Sequence, residues 1–512
     1  MSDLDACLLA RFAGTQPPYW LRRWLDDGLG GVLLFAGNIT GPAQLRTLTA
    51  ALQAHNPQVL IAADEEGGIV TRVEARTGSS YPGNAALGAV DDTGLTRRVA
   101  ASIGAMLAEC GVNLDLAPTA DLDGNPANPI IGVRSFSADP GRAAAHTAAF
   151  VEGVQSHQVA ACAKHFPGHG RTGTDSHVAL PVVNASLDDL RAADLVPFAA
   201  AVGSGVRSVM TAHVVFPAID TVPATISARF LGGVLREELG FGGVIITDAL
   251  EMAAIGDSEA SADGAVRALA VGADLLCLPG QPAAQLLARE ALASAVRNGV
   301  VSSRRVEESA ARVRALAAWA RPSPSSEPEP SLGAEAARRG LLVDTGQLPL
   351  AGPPYVLDAG GRMSTLLDDA AASLLGALRR RVPAVDGLQL TEPPDDLDWP
   401  RRQFIAVGPD GPAGAAEIDA IIARGGARPL VLVVRDAHRL PWQRELLGRV
   451  LARRPDTLVI GTGTVHDRHL AAGNYLGTRG AGRANLEAAA DLLLGAAGDP
   501  APGRRSPLAE GA

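Results

Sequence analysis

The sequence predicts an α/β chain: a (β/α)8 barrel of the TIM type followed by a smaller α/β sandwich domain. Three observations carry this expectation. Short apolar, β-branched runs alternate with alanine-rich amphipathic stretches up to about residue 320. Ionisable residues recur at the ends of several of those runs, and a Pro/Ser/Glu-rich stretch, RPSPSSEPEPSL, interrupts the pattern before further runs follow.

The runs that read as strands are GGVLLF (Gly30–Phe35), VLIAAD (Val59–Asp64), VNLDLAP (Val112–Pro118), VAACAKHF (Val159–Phe166), VRSVMTAHV (Val206–Val214), GGVIITDAL (Gly242–Leu250) and ADLLCLP (Ala273–Pro279). Helical spacing fills the intervals, for instance over Thr96–Cys110 and Asp188–Gly203. Repeated strand–helix units imply a parallel sheet, either closed into a barrel or open and doubly wound. Polar placement favours the barrel, in which chemistry collects at the C-terminal ends of many strands. Asp64, then Lys164 with His165, then His213, then Asp248 sit at the ends of four different runs.

This divides the chain into a barrel domain over 1–320, a linker over 321–332, an α/β sandwich over 333–498 and a disordered Pro/Gly-rich tail over 499–512. The second domain carries the runs PYVLDAG, QFIAVGPDG, PLVLVVRD and TLVIGTG.

Composition narrows the function. With 47% hydrophobic and 20% charged residues the chain can bury a sizeable core. A net charge of −10 without clustered cations argues against nucleic acid as a partner. The start, MSDLDACLLARFAG, lacks a basic region and a long apolar segment, and no later run has membrane-spanning length, so no membrane association and a cytoplasmic location are expected. Cys7, Cys110, Cys162 and Cys277 are far apart and show no CxxC spacing, which favours buried reduced thiols over disulfides or a zinc site.

Lys164 is the single lysine in 512 residues, among 44 arginines. A compact ammonium and a planar guanidinium are not interchangeable where a small cation must fit among oxygens. It opens AKHFPGHGRTGTDSH, whose Gly168, Gly170 and Gly173 allow a tightly turned, mobile loop. Asp175 precedes His177 by two residues, a spacing that can set a carboxylate against an imidazole and leave the other ring nitrogen to move protons. The alternatives are a turn-capping Asp175 with a surface His177, or zinc held by His165, His169, Asp175 and His177; the adjacent Lys164 cation opposes the metal. Asp248, at the end of an apolar strand, is either a helix N-cap or the nucleophile of a retaining glycosidase. In DEEGGIVTRV, Asp64 caps a turn or accepts hydrogen bonds from sugar hydroxyls, with Arg72 close behind it. Arg134 lies in the proline-framed NPIIGVRSFSADP.

Together DEEGG, PGNAALGA, NPIIGVRSF, KHFPGHGRTGTDSH and ITDALEM resemble glycoside hydrolase family 3, in its β-N-acetylglucosaminidase branch. The resemblance implies Asp248 as nucleophile, His177 as acid/base and Asp175 as its orienting partner, with Asp64, Arg72, Arg134, Lys164 and His165 holding N-acetylglucosamine. It implies a retaining exo-β-N-acetylglucosaminidase acting on cell-wall-derived muropeptides or related glycosides, with no metal and no organic cofactor. A phosphorylase using the same Asp/His site and a catalytically silent sugar-binding protein are the alternatives. Two positions depart from the pattern: Arg171 replaces the acid of GHGDT, and Ile69 the arginine of EGGRV.

Overall fold

The computed structural model describes residues 3–174, 180–250, 258–322, 327–360, 372–391, 404–408, 411–416 and 418–496. Its first sheet is built from β1 (Leu8–Ala10), β2 (Gly31–Leu34), β3 (Leu60–Ala63), β4 (Leu114–Asp115), β5 (Ala160–Phe166), β6 (Ser208–Thr211), β7 (Val244–Ile246) and β8 (Leu276–Cys277). All neighbours are parallel, in the order β7-β6-β5-β4-β3-β2-β1-β8, and a parallel bridge from Ile246 to Leu275 joins the two ends into a nearly closed barrel. Seven of these strands lie inside the expected runs; β1 is the addition.

The period of two along each strand sorts side chains to two cores. Leu9, Leu33, Leu60, Ala62, Leu114, Ala160, Cys162, Val244 and Ile246 pack in the barrel interior. Their neighbours Leu8, Ala10, Val32, Leu34, Ile61, Ala63, Ala161 and Ala163 pack against the surrounding helices. The inward parity arrives at Lys164 within β5 from 160 and 162 and, continued past the strand ends, at Asp64 from 60 and 62 and at Asp248 from 244 and 246. The apolar pattern that builds the barrel thus delivers these groups to its mouth.

Helix Thr93–Glu109 matches its expected position, capped by the Asp92 side chain accepting from Leu95 N. The stretch 188–203 is two helices, Leu187–Ala192 and Leu195–Gly203. Pro197 explains the break: it has no N–H to offer the carbonyl at 193, and its ring clashes with that turn.

The barrel closes over a buried ion cluster. Asp274 sits just before β8; its Oδ2 accepts from Ile245 N at 3.0 Å and from Arg236, and its Oδ1 is bound by Arg305 and, at 3.2 Å, by Arg312. Removing one partner of a buried charge cluster typically costs about 3–5 kcal/mol. Asp274→Ala is therefore expected to lower the urea midpoint by several tenths of its value, and an unchanged midpoint would show that the cluster does not hold the seam.

The second sheet has the order β13-β12-β11-β10-β14-β15-β16-β9. Its strands are β9 (Leu342–Asp344), β10 (Tyr355–Asp358), β11 (Asp386–Thr391), β12 (Phe404–Gly408), β13 (Gly411–Ala416), β14 (Leu430–Val434), β15 (Leu458–Gly461) and β16 (Tyr475–Gly477). Alternation again divides the faces: Leu430, Leu432 and Val434 join one apolar core, Val431 and Val433 the other. Helix Pro330–Arg339, with proline in its first turn, begins within the stretch read as linker, and its Ala336 packs in the barrel's outer core. The four cysteines are buried. Among the described residues no helix is long and apolar enough to cross a membrane.

The two domains meet at the barrel mouth. Arg483, opening helix Arg483–Leu494, donates to Glu74 at 2.9 Å and to the Gly78 carbonyl, bracing the loop that follows β3. A Cβ on Gly482 would approach the Gly68 backbone to 2.8 Å, so these glycines let the domains touch.

Candidate active site

Lys164 is the centre of the site. Only 2% exposed, it lies with Nζ 2.8 Å from Asp64 Oδ1 and 2.8 Å from Glu66 Oε1. Asp64 Oδ2 accepts from Arg72 at 3.2 Å, and the Arg72 guanidinium lies over the Phe35 ring. Arg134 grips Glu66 with two parallel hydrogen bonds, Nε to Oε2 at 2.9 Å and Nη2 to Oε1 at 2.7 Å, and donates to the Ile130 carbonyl. Asp64, Arg72, Arg134 and Lys164 are therefore one network, joined by Glu66. Burial alone would favour neutral carboxyls. The Lys164 and Arg72 charges instead hold Asp64 below its ordinary range, and those of Arg134 and Lys164 do the same for Glu66. Burial also opposes the Lys164 charge, but Asp64 and Glu66 outweigh it and raise its pKa.

His165 is set by Asp121. Asp121, fully buried, accepts from His165 Nδ1 at 2.7 Å and His165 N at 3.2 Å through Oδ2, and from His169 N at 2.6 Å through Oδ1. A carboxylate can only accept, so Nδ1 carries the hydrogen and Nε2 is the nitrogen presented away from Asp121. Burial, with the His165 charge beside it, lowers His169 to about 4, so that ring is neutral across the ordinary working range.

Asp248 follows β7, half-buried, with Oδ1 accepting from Ala249 N at 2.7 Å. The Ala249 carbonyl in turn accepts from His213 Nε2 at 3.0 Å. The Asp248 charge favours the protonated form of the His169 ring, against the larger effect of burial. Asp175 and His177 lie outside the described residues, but the loop leading to them is pinned. Asn128 Nδ2 donates to the carbonyls of His169 and Gly170 and to Thr172 Oγ1, and Asn125 Nδ2 to the carbonyls of Arg171 and Thr172.

Both departures from the family pattern have local partners. Arg171 Nε donates to the buried Asp194 at 2.7 Å, tying the loop to the helix beneath it. Ile69 packs with Val70, Val133 and Ala481, turning a position where arginine is common into an apolar contact with the second domain.

Glu66, Asp121, Asn125 and Asn128 escaped the sequence reading. Glu66 stands two residues beyond Asp64, the same parity, and that spacing is the signal that would have found it. Asp121 lies six residues past the end of a strand only two residues long, and nothing local marks it.

Beneath the network, Glu65 and Asp115 are wholly buried acids. Glu65 Oε2 accepts from Arg72 N at 2.9 Å and Val73 N at 3.0 Å, while Glu65 N donates to Asp115 Oδ1. Burial, against its hydrogen bonds, pushes Glu65 from 4.5 to about 7. Because the folded protein keeps this proton longer than the unfolded chain, its stabilising effect is full below about pH 4.5 and disappears as pH rises through about 7. Glu65→Gln, which keeps an acceptor for both amides, is expected to raise the urea midpoint at pH 8 relative to wild type and not at pH 4. An equal shift at both values would rule out this linkage.

The model for the glycosyl hydrolase family 3 N-terminal domain matches residues 20–316. The chain is 38% identical over 288 residues to β-hexosaminidase A of Pseudoalteromonas piscicida, covering 52% of this chain and 48% of that protein, so it spans about half of that relative's length. It is 40% identical over 271 residues to a β-hexosaminidase of Pseudomonas aeruginosa, covering 52% of this chain and 79% of that one. A solved family 3 β-N-acetylglucosaminidase from Paenibacillus sp. str. FPU-7 superimposes with a TM-score of 0.84 at 31% identity, over 98% of both chains. With the family model matched over residues 20–316 and the fold shared over 98% of both chains, the chain belongs to glycosyl hydrolase family 3.

Proposed function

We propose that the protein is a retaining exo-β-N-acetylglucosaminidase that releases terminal N-acetylglucosamine from glycosides, with cell-wall-derived muropeptide fragments as its substrates. The observation that carries this reading is the buried Asp64–Lys164–Glu66–Arg134 network on the same rim as Asp248. Fixed carboxylates and cations at a barrel mouth suit the alternating hydroxyl groups of a pyranose, because each hydroxyl both donates and accepts. The relatives' names, β-hexosaminidase and β-N-acetylglucosaminidase, supply the 2-acetamido sugar.

In this reading the sugar rests on Asp64, Arg72, Lys164 and His165, with Arg134 supporting them through Glu66. An Asp248 oxygen attacks the anomeric carbon while protonated His177, oriented by Asp175, gives its proton to the departing oxygen; the C–O bond breaks and a glycosyl ester of Asp248 forms. Neutral His177 then takes a proton from water, whose oxygen attacks the same carbon and frees Asp248, so the β configuration is restored.

The test is to incubate the protein with an aryl β-N-acetylglucosaminide, a muropeptide fragment and a chitin fragment, each with and without phosphate, and to follow the products by NMR. β-N-acetylglucosamine as the first product, independent of phosphate, is the expected result. Accumulation of a sugar 1-phosphate would convert the reading to a phosphorylase, and no turnover of any of the three would remove it.

A further inference from the structure

One histidine of the second domain touches the turn that holds the catalytic loop. His438, just beyond β14, has Nδ1 2.8 Å from Asp467 Oδ1 and Nε2 2.8 Å from the Pro126 carbonyl oxygen of the barrel. A carboxylate and a peptide carbonyl can only accept, so both ring nitrogens must donate, and the ring that satisfies both contacts is the imidazolium. Asp467 is suited to hold it. Its side chain is fully buried, its Oδ1 also accepts from His438 N at 2.8 Å, and its Oδ2 has no hydrogen-bond partner among the described residues.

Pro126 lies between Asn125 and Asn128, the two amides that bind the backbone at His169, Gly170, Arg171 and Thr172. We propose that protonated His438 is a positioning residue: it fixes the Pro126 turn, and through Asn125 and Asn128 the loop that leads to the Asp175–His177 pair. When the ring loses a proton, the remaining N–H stays with Asp467, the stronger acceptor. The Nε2 lone pair then faces the carbonyl lone pairs of Pro126, and a contact that joined the domains becomes repulsive.

The surroundings of His438 act in both directions. Asp467 and Asp436 on its own domain favour the charge, and Arg439 neutralises Asp436. His466, whose ring centre is 5.2 Å away, opposes it when charged, and burial with the His438 charge keeps His466 low. Arg444 donates to the His438 carbonyl. From the barrel, Asp123 lies 4.0 Å from His466, pushed up to about 6 by burial and by Asp436. Burial opposes the His438 charge as well, but its hydrogen bonds to Asp467 and Pro126 outweigh that and raise its pKa above the ordinary 6.5. The brace is therefore complete at low pH and lost as pH rises through the raised His438 value.

This inference rests on the glycosidase reading for its kinetic readout but not for its structural one. In the kinetic arm, wild type is compared with His438→Gln, a side chain that does not titrate, and the ratio of their kcat/KM values cancels the titration of His177. Wild type is expected to lead about tenfold at pH 6, the scale of one charge-assisted hydrogen bond, with the ratio falling towards one by about pH 9. In an Asn128→Ala background, where only Asn125 still links the turn to the loop, the same substitution should cost less. A pH-independent ratio, or a full second loss in the Asn128→Ala background, overturns the proposal. In the structural arm, hydrogen exchange of segments 119–131 and 168–172 should be slower in wild type than in His438→Gln at pH 6 and equal at pH 9. Equal exchange at both values overturns it. Exchange needs no turnover, so a wild-type protein inactive on every glycoside would remove the glycosidase reading and leave this arm to decide the brace.

Discussion

Asp248→Asn is expected to leave a folded protein that turns over an aryl β-N-acetylglucosaminide on the order of 10⁴-fold or more slowly than wild type, the scale on which losing a nucleophile acts. The backbone on either side of residue 248 is held by contacts that the substitution does not touch. Thr247 N donates to the Leu275 carbonyl, Thr247 Oγ1 accepts from Cys277 N, and Leu250 N donates to the Cys277 carbonyl, so the chain is anchored to β8 on both sides of residue 248. The described contact made by the side chain itself, from Ala249 N to Oδ1, is one that the amide oxygen of asparagine can keep. What the substitution removes is the charge. His169, neutral because burial lowers it to about 4, does not quench that charge with a positive ring, which in the proposed reaction leaves it for a developing oxocarbenium carbon. The measurements are kcat on the aryl substrate and the urea midpoint. Activity within about tenfold of wild type at an unchanged midpoint would take Asp248 out of the reaction.

Three of the residues named from the sequence have positions that follow from strand parity. Asp64, Lys164 and Asp248 each continue the inward series of an apolar strand, so period-two reading locates them without knowledge of the tertiary fold. β1 escaped because three residues, Leu8–Ala10, make too short a run to show that period. In the second domain β13 (GPAGAA) escaped because glycine, proline and alanine carry no strand preference, and it forms only by pairing with β12. Site residues beyond the strands were harder. Asp121 acts 44 positions away in sequence on His165, and Asn128 acts 41 positions away on His169; both read locally as ordinary turn formers. His438, 312 positions from Pro126, belongs to a domain in which no local motif suggests chemistry. Long-range partners of this kind are fixed by how two domains dock, and docking leaves no periodic trace in either sequence.

Lys164→Arg is expected to lower kcat/KM by on the order of 10²–10³-fold, although it preserves the charge and follows this chain's own preference for arginine. The ammonium fits because it is compact: at 2% exposure Nζ meets Asp64 Oδ1 and Glu66 Oε1 at 2.8 Å each, using two of its three donors. A guanidinium is longer and planar. Entering from the same inward-facing strand position, it would meet Glu66 where Arg134 already occupies both carboxylate oxygens. Either Arg134 or the new arginine must yield, and whichever yields leaves a buried cation without its carboxylate, a defect worth about 3–5 kcal/mol. The loss should appear mainly in KM, because this network lies at the proposed sugar-binding surface and Asp248 is anchored separately to β8. Lys164→Met should behave differently, leaving Asp64 and Glu66 facing each other without the ammonium between them and raising the pKa of both. Adding Glu66→Gln to Lys164→Met should lower stability further, since it takes from the buried Arg134 the carboxylate that it grips. A Lys164→Arg protein with wild-type KM and kcat would mean that the site tolerates any cation at this position, and that the single lysine of the chain has no steric reason to be there.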